Sequence, residues 1–316
     1  MKRIDRTKLK TKPIREIEHL VDVADFGRLA GPGDSVADFI DGLPDFLGAR
    51  DLKGLARAVA DAHRGGRTVA FALGGHVVKV GCGPVVADLV ERGIVTTLAM
   101  NGATAIHDYE LAFAGVTSED VAEGLETGDY GLARETVEAL ASAARLAAKS
   151  GAGLGAEMGR AIAEGRLAHA GLSMLAAAHR KGVPATVHVA YGTDTPHMHP
   201  SVSGADVGAA TARDFEILAE VVAGLEGGVW VNVGSAVVLP EVFLKCLTLA
   251  RNLTGGPREF TTANLDMLHH YRPTVNVLKR PGGRAYSVTG QHEIILPLLR
   301  TAVLAALETP TVKEDA

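Results

Sequence analysis

The sequence predicts an α/β protein with a doubly wound, mostly parallel sheet and helices on both faces. Short continuous apolar runs bounded by glycine recur along the chain, which is typical of strands buried on both faces of a parallel sheet. Stretches with apolar residues at helical spacing fill the gaps between these runs. Alternating strands and helices are the pattern of doubly wound folds.

Helices and strands are expected in alternation from about residue 35 onward. Helices are predicted at 35–47, 52–63, 84–92, 206–225 and 240–253, and over most of 119–179 with interruptions at 127–131 and 151–155. Strands are predicted at 68–73, 95–100, 186–190, 229–233 and 274–278.

The bulk composition is that of an ordinary globular protein. The chain has 316 residues, of which 47% are hydrophobic and 22% charged, so it can bury a large core. No linker divides it, and we expect a basic arm at 1–20, one α/β domain at 21–308 and a tail at 309–316. The net charge of −5 argues against nucleic acid or an anionic membrane as a partner of the body.

Cellular location is predicted from what the sequence lacks. The basic arm has no apolar segment behind it, unlike a secretory signal, and no apolar run reaches the roughly 18 residues of a membrane span. The two cysteines, Cys82 and Cys246, stand far apart and outside any metal-ligand spacing. We therefore expect a cytoplasmic protein with reduced thiols.

Three predicted strands end at turns that contain glycine. Such turns present backbone N–H groups to a phosphate or carboxylate without an intervening side chain. Three of them in one sheet favour a shared crevice for an extended ligand such as a dinucleotide. The residues are Gly74, Gly75 and His76, then Asn101, Gly102 and Ala103, and finally Gly234, Ser235 and Ala236.

A fourth glycine segment, residues 151–156, matches the dinucleotide fingerprint G-x-G-x-x-A in residue types but not in its predicted structural context. The fingerprint requires a strand before it, because the tight turn must deliver the pyrophosphate to the start of a helix. Residues 135–150 are predicted to be helical. We interpret the segment as a helix–glycine–helix connection.

Histidines and aspartates supply the candidates for chemistry. His197 and His199 form a His-x-His pair, which suits a divalent metal if other ligands approach, although a hydrogen-bonded polar loop is the simpler interpretation. Asp194 could be a general base, a ligand or a turn residue. His107 and Asp108 could be an oriented acid–base pair or the start of a helix.

The order of several motifs resembles the deoxyhypusine synthase family over roughly residues 65–305. The stretch 71–81 with 93–103 and Ile106-His107-Asp108 is similar to two turns of that family and its acidic cluster. Residues 227–238 resemble its strand and glycine turn, 260–264 its Asn-Thr-Ala segment, and 287–299 its carboxyl-terminal part.

The resemblance implies a deoxyhypusine-synthase-like NAD-binding fold, a homotetramer and hydride transfer from a polyamine to NAD, followed by alkylamine transfer through a lysine. Carried over residue by residue, it implies a cofactor site made of Gly75, His76, Asn101, Gly102, Ala103, Asp108, Gly234, Ser235, Thr262, Gly290 and Gln291.

The chain also departs from the family. It lacks the Ser-Trp-Gly-Lys motif of the catalytic lysine, for which Lys279 is the nearest candidate, and it lacks the Lys-His-His after the glycine turn. Our leading hypothesis is therefore an NAD-dependent enzyme acting on a small, polyamine-type amine, with His107, Asp108 or His292 handling protons. The alternatives are a metal-dependent hydrolase or lyase using His197 and His199, and a non-catalytic nucleotide-binding subunit.

Overall fold

The structure, a computed structural model, describes residues 4–308. The first three residues and the predicted tail at 309–316 lie outside the described residues. The sheet strands are β1 (Val69–Leu73), β2 (Thr97–Asn101), β3 (Ala185–His188), β4 (Val229–Val233), β5 (Thr261–Asp266) and β6 (Arg284–Thr289). All five strand pairs are parallel, and the order is β3-β2-β1-β4-β5-β6.

Helices surround this sheet. They are α1 (Val36–Asp41), α2 (Leu47–Arg64), α3 (His76–Lys79), α4 (Gly83–Glu91), α5 (Gly102–Ala114), α6 (Val121–Thr127), α7 (Arg134–Ser150), α8 (Leu154–Glu164), α9 (Met174–Lys181), α10 (Gly204–Ala223), α11 (Val238–Thr254) and α12 (His292–Glu308). No helix in the described part of the chain is both long and apolar enough to cross a membrane.

The sheet is buried on both faces, because strand side chains alternate between two apolar clusters. On β1, Phe71 and Leu73 pack on the face covered by α2, α4, α9 and α12, whereas Ala70 and Ala72 face α10 and α11. Trp230 of β4 is fully buried on this second face, where it stacks on Phe243. The predicted fold class, a parallel sheet with helices on both faces, is confirmed.

One predicted strand is wrong. Residues 274–278 lie within a π-helical segment, Pro273–Lys279, and the strands β5 and β6 stand on either side of it. Within this segment Val277 is buried in the apolar cluster on the second face of the sheet, and Leu278 packs against that cluster. A short alternating run fits either period, so packing decided the outcome.

The amino-terminal region forms short 3-10 turns at Arg6–Lys8, Ile14–Glu16 and Val23–Asp25, and none of these turns buries a residue. Its apolar side chains point to solvent; Leu20 is 93% exposed and Leu29 is 95% exposed. The core begins only at Ile40 of α1. Residues 4–20 are all exposed and bury no side chain against the sheet.

Candidate functional site

The three glycine turns lie side by side. They follow β1, β2 and β4, which are neighbours in the sheet in the order β2-β1-β4. The chain leaves β1 towards α3 and α4 on the first face of the sheet, but leaves β4 towards α11 on the second face. The strand order reverses at this point, and a crevice opens there in doubly wound sheets.

At the crevice the backbones of the two connections touch. A Cβ atom on Gly74 would lie 2.1 Å from the carbonyl oxygen of Gly234, and the amide of Gly74 donates to the carbonyl of Val233. Gly234 itself has a φ of +64°. Only glycine fits at both positions, because one has no room for a side chain and the other has a left-handed backbone.

His292, the first residue of α12, lies beneath this contact. It is 1% exposed, and its Cε1 would lie 2.8 Å from a Cβ atom on Gly234. Its ring meets the exposed His76 edge-on, with 5.6 Å between centroids. Burial lowers the pKa of His292, so the imidazole is neutral at pH 7. Its Nδ1 has no hydrogen-bond partner among the described residues.

The β2 turn brings α5 against the β1 turn. The side chain of Asn101 caps α5 by accepting from the amide of Thr104 at 2.9 Å. Four residues apart on this helix, Ala103 and His107 share one face, and both lie 3.4 Å from where a Cβ atom on Gly75 would be. His107 is thus held beside the β1 turn.

Asp194 reaches the same place from the connection between β3 and α10. Its Oδ2 lies 1.9 Å from where a Cβ atom on Gly102 would be, so only glycine fits under this carboxylate. Burial raises the pKa of Asp194 to about 6, and only a protonated His107 ring would act in the opposite direction. The group is still ionised at pH 7. The sequence left several roles open for Asp194. The structure places its carboxylate against the β2 turn.

The other nitrogen of His107 is held by residues that the sequence analysis missed. Nδ1 lies 2.6 Å from the hydroxyl of Thr117 and 3.4 Å from Oε2 of Glu110. Glu110 also accepts from Thr136 of α7 at 3.0 Å. The three-residue spacing of His107 and Glu110 on a helix could have indicated this pair. Thr117, beyond the end of α5, left no such signal.

Asp108 does not join this group. It is 2% exposed, and its carboxylate accepts from the hydroxyl of Ser173 and from the amides of Met174 and Leu175 at 2.9 and 3.1 Å. The carboxylate thus accepts hydrogen bonds from amides that have no partner within α9, because they lie in its first turn. The expected pair of His107 with Asp108 is thus replaced by His107 with Glu110.

Two other predicted site residues lie at the opposite edge of the sheet. Thr262 is the second residue of β5 and is fully buried. Lys279 is exposed at the end of the π-helical segment, just before β6 begins at Arg284. Because the strands are parallel, their amino ends share the edge away from the crevice. The structure does not bring Thr262 or Lys279 to the glycine turns.

Gly290 and Gln291 follow β6 at the carboxyl edge and lead into α12. The amide of Gly290 donates to the carbonyl of Asp266 at 3.1 Å. Ser235 is 3% exposed, and its hydroxyl accepts from the amide of Leu239 in α11. The carboxyl edge of the sheet, where the cofactor site is predicted, thus carries Gly290, Gln291 and Ser235.

A pair of buried asparagines lies behind the β4 turn and was missed in the sequence. Asn232 donates to the side chain of its neighbour Asn264 on β5 at 2.8 Å and to the carbonyl of Ser235 at 3.0 Å. The amide thus ties two strands to the start of the β4 turn.

The predicted metal site is not supported. Nδ1 of His197 accepts from the amides of Gly192 and Asp194, and Nδ1 of His199 lies 2.8 Å from the hydroxyl of Ser201. Within residues 4–308 no group of three or more histidine, cysteine, aspartate or glutamate side chains is arranged to hold a metal ion. The His-x-His segment is a hydrogen-bonded loop, with the His197 ring stacked on Tyr191.

The G-x-G-x-x-A segment is a helix–glycine–helix connection, as predicted, between α7 and α8. An internal carboxylate already occupies the start of α8, since Asp214 of α10 accepts from the amide of Gly155 at 3.0 Å. The same oxygen accepts from the amide of Val187 on the edge strand β3 at 2.8 Å. A Cβ atom on Gly153 would lie 2.1 Å from the other oxygen of Asp214. The segment thus binds a side chain of its own protein.

Comparisons with known proteins agree with this fold. A conserved LOR/SDH-type protein from Methanococcus maripaludis S2 is similar over 94% of this chain and 75% of its own, with a TM-score of 0.56 and 16% identity. AgrE, in a ternary complex with ornithine and NAD+, is similar over 80% of this chain but only 33% of its own, with a TM-score of 0.54 and 15% identity.

A protein assigned as a deoxyhypusine synthase from Entamoeba histolytica is similar over 86% of this chain and 94% of its own, with a TM-score of 0.51 and 9% identity. No protein-family profile and no curated protein matches the sequence. At these identities the likeness is one of fold. The chain shares the α/β fold of deoxyhypusine-synthase-like proteins.

Proposed function

We propose that this protein is an NAD-dependent enzyme that oxidises a small cationic amine at the carboxyl edge of its sheet. The observation that carries the proposal is the reversal of strand order between β1 and β4, with glycine turns on both strands and on the neighbouring β2. Dinucleotides bind at such reversals in doubly wound sheets.

The residues at the crevice fit a dinucleotide. Gly75 is half-buried and leaves open the space that a side chain would fill in front of Ala103 and His107. The buried Nδ1 of His292 lacks a partner among the described residues, so it is a candidate contact for a polar group of the ligand. Bound there, NAD would accept a hydride from the substrate.

The protein's own groups would hold the amine and move its proton. Asp194 is ionised at neutral pH and half-buried, which suits a carboxylate that pairs with an ammonium group. His107 faces the same space and is suited to accept a proton from the bound amine. The complex of AgrE with ornithine and NAD+ lends support to a cofactor and amine pair on this fold.

Calorimetric titration with NAD+ tests the cofactor first. We expect saturable binding that is weakened when Gly75→Val fills the half-buried space, whereas Gly208→Ala, on the exposed side of α10 with no atom near its Cβ position, leaves it unchanged. Nicotinamide absorbance is then followed with spermidine and L-ornithine as probes. Absence of NAD+ binding would refute the proposal, and binding without turnover of any amine would indicate a non-catalytic nucleotide-binding subunit.

A further inference from the structure

The Nδ1 side of His107 ends in a chain of hydrogen bonds. Nδ1 lies 2.6 Å from Oγ1 of Thr117, and the Thr117 hydroxyl donates to Oε2 of Glu110. The second carboxylate oxygen of Glu110 accepts from the hydroxyl of Thr136. Glu110 is half-buried; its burial would raise its pKa, but these hydrogen bonds outweigh burial and lower it. The carboxylate is therefore ionised and can only accept hydrogen bonds.

The direction of each hydrogen bond from Glu110 back to the ring determines the tautomer of His107. The hydroxyl of Thr117 has one proton, and Glu110 accepts it. The bond between Thr117 and His107 must then be donated by the ring, so the proton of the neutral imidazole is on Nδ1. The Nε2 lone pair is left free to accept a proton. Cδ2, the ring atom bonded to Nε2, lies 3.4 Å from where a Cβ atom on Gly75 would be, so this side of the ring is turned towards the β1 turn.

We infer that Glu110 is a positioning residue, which acts through Thr117 to hold His107 in the tautomer and orientation that present Nε2 to the substrate. The inference deepens the proposed function and rests on it. Two carboxylates face His107: Glu110 on its own helix and Asp194 from the β3–α10 connection. His76, on the adjacent α3, has its ring against His292 instead.

The proposed step is a proton transfer. A proton leaves the nitrogen of the bound amine and joins Nε2 of His107, which becomes an imidazolium with protons on both nitrogens. Thr117 and the carboxylate of Glu110 keep the Nδ1 proton hydrogen-bonded and hold the ring in place during the transfer. Asp194 would hold the substrate while Glu110 holds the base. The two carboxylates therefore have separate tasks.

Nitrogen NMR of the histidine rings tests the inference without substrate. We expect the neutral His107 ring of the wild type to carry its proton on Nδ1. In Glu110→Gln, one of the two acceptor oxygens becomes an NH2 group, so we expect a mixture of tautomers. Thr117→Val should have the same effect because it removes the bridging hydroxyl, and Thr117→Ser should restore the Nδ1 proton.

Turnover of the amine probe with NAD+ completes the test. We expect Glu110→Gln and Thr117→Val to lower kcat by on the order of 10²-fold with little change in KM or in NAD+ affinity. Thr117→Ser should recover most of the kcat that Thr117→Val loses. Glu123→Gln, an exposed carboxylate on α6, is the matched control and should change neither readout.

The outcomes separate the two proposals. If the wild type binds NAD+ and turns over amine, but Glu110→Gln alters neither the tautomer nor kcat, the positioning role is refuted while the function stands. If the wild type does not bind NAD+, the proposed function fails whatever tautomer is seen. A tautomer that changes while kcat does not would also refute the positioning role.

Discussion

The carbonyl oxygen of Gly234 occupies the place where a side chain on Gly74 would begin, only 2.1 Å from that Cβ position. The ends of β1 and β4 can therefore meet only because residue 74 has no side chain. This contact lies at the reversal of strand order, where the proposed cofactor site is. The stability of the sheet and the shape of the crevice thus depend on the same residue.

Gly74→Ala should destabilise the protein by about 1–3 kcal/mol, because the obstructing atom is backbone and cannot move aside cheaply. Urea unfolding measures this free energy. Gly208→Ala is the control, since its Cβ position is open, and it should be neutral or slightly stabilising. Equal stability of the two variants would contradict the close contact.

Asp194→Asn should raise KM for the amine probe by roughly 10–100-fold at pH 7, because a charge-assisted hydrogen bond is lost. Burial raises the pKa of Asp194 to about 6, so the carboxylate loses its charge as the pH falls below that value. Wild-type KM should therefore increase below about pH 6, whereas KM of the variant should not show this step. A pH-dependent step of the same size in both proteins would rule out Asp194 as its origin.

Asp108→Ala should lower stability by about 1–3 kcal/mol, because the buried amides of Met174 and Leu175 lose their acceptor. Catalysis by the folded fraction should persist, since the carboxylate is directed into α9. Thermal unfolding and activity per folded molecule are the two measurements. A stable but inactive Asp108→Ala protein would contradict this prediction and show that Asp108 takes part in catalysis.

Lys279→Ala should leave turnover unchanged. The side chain is exposed at the amino edge of the sheet, away from the glycine turns, and exposed substitutions of this kind usually change stability by less than about 0.5 kcal/mol. Steady-state kinetics with NAD+ and the amine probe decide the matter. Loss of turnover in a stable variant would support a covalent lysine intermediate, as in deoxyhypusine synthases.

Asp214 should make stability depend on pH. Burial raises its pKa from 3.8 to about 7 in the folded protein, so the folded state holds this proton more tightly than the unfolded state. The contribution to the free energy of unfolding is complete below about pH 4 and is lost as the pH rises to about 7.

In Asp214→Asn this part of the pH dependence should disappear, and its size should be on the order of a few kcal/mol. Urea unfolding from pH 4 to 7 gives the difference between wild type and variant. Glu220→Gln, an exposed carboxylate on the same helix, should keep the wild-type profile. An unchanged profile in Asp214→Asn would show that the carboxyl group titrates normally.

Local pattern was sufficient to predict most of the fold. Four of the predicted strands correspond to β1, β2, β3 and β4, because each is a short, buried stretch rich in apolar and β-branched residues. β5 and β6 were missed. β5 contains polar residues such as Asn264, whose side-chain oxygen accepts a hydrogen bond from Asn232 on the neighbouring strand β4. β6 is partly exposed.

The sequence by itself determined the α/β class, the glycine turns and the helix–glycine–helix connection at residues 151–156, since these depend on periodicity and on backbone conformations within a few residues. Only the tertiary structure decided which polar side chains meet. It brought Asp194 over Gly102, gave His107 the partner Glu110 instead of Asp108, and left Lys279 and Thr262 at the far edge. The physical reason is that strand order and helix docking set which connections are neighbours, and both depend on long-range packing that no local pattern records.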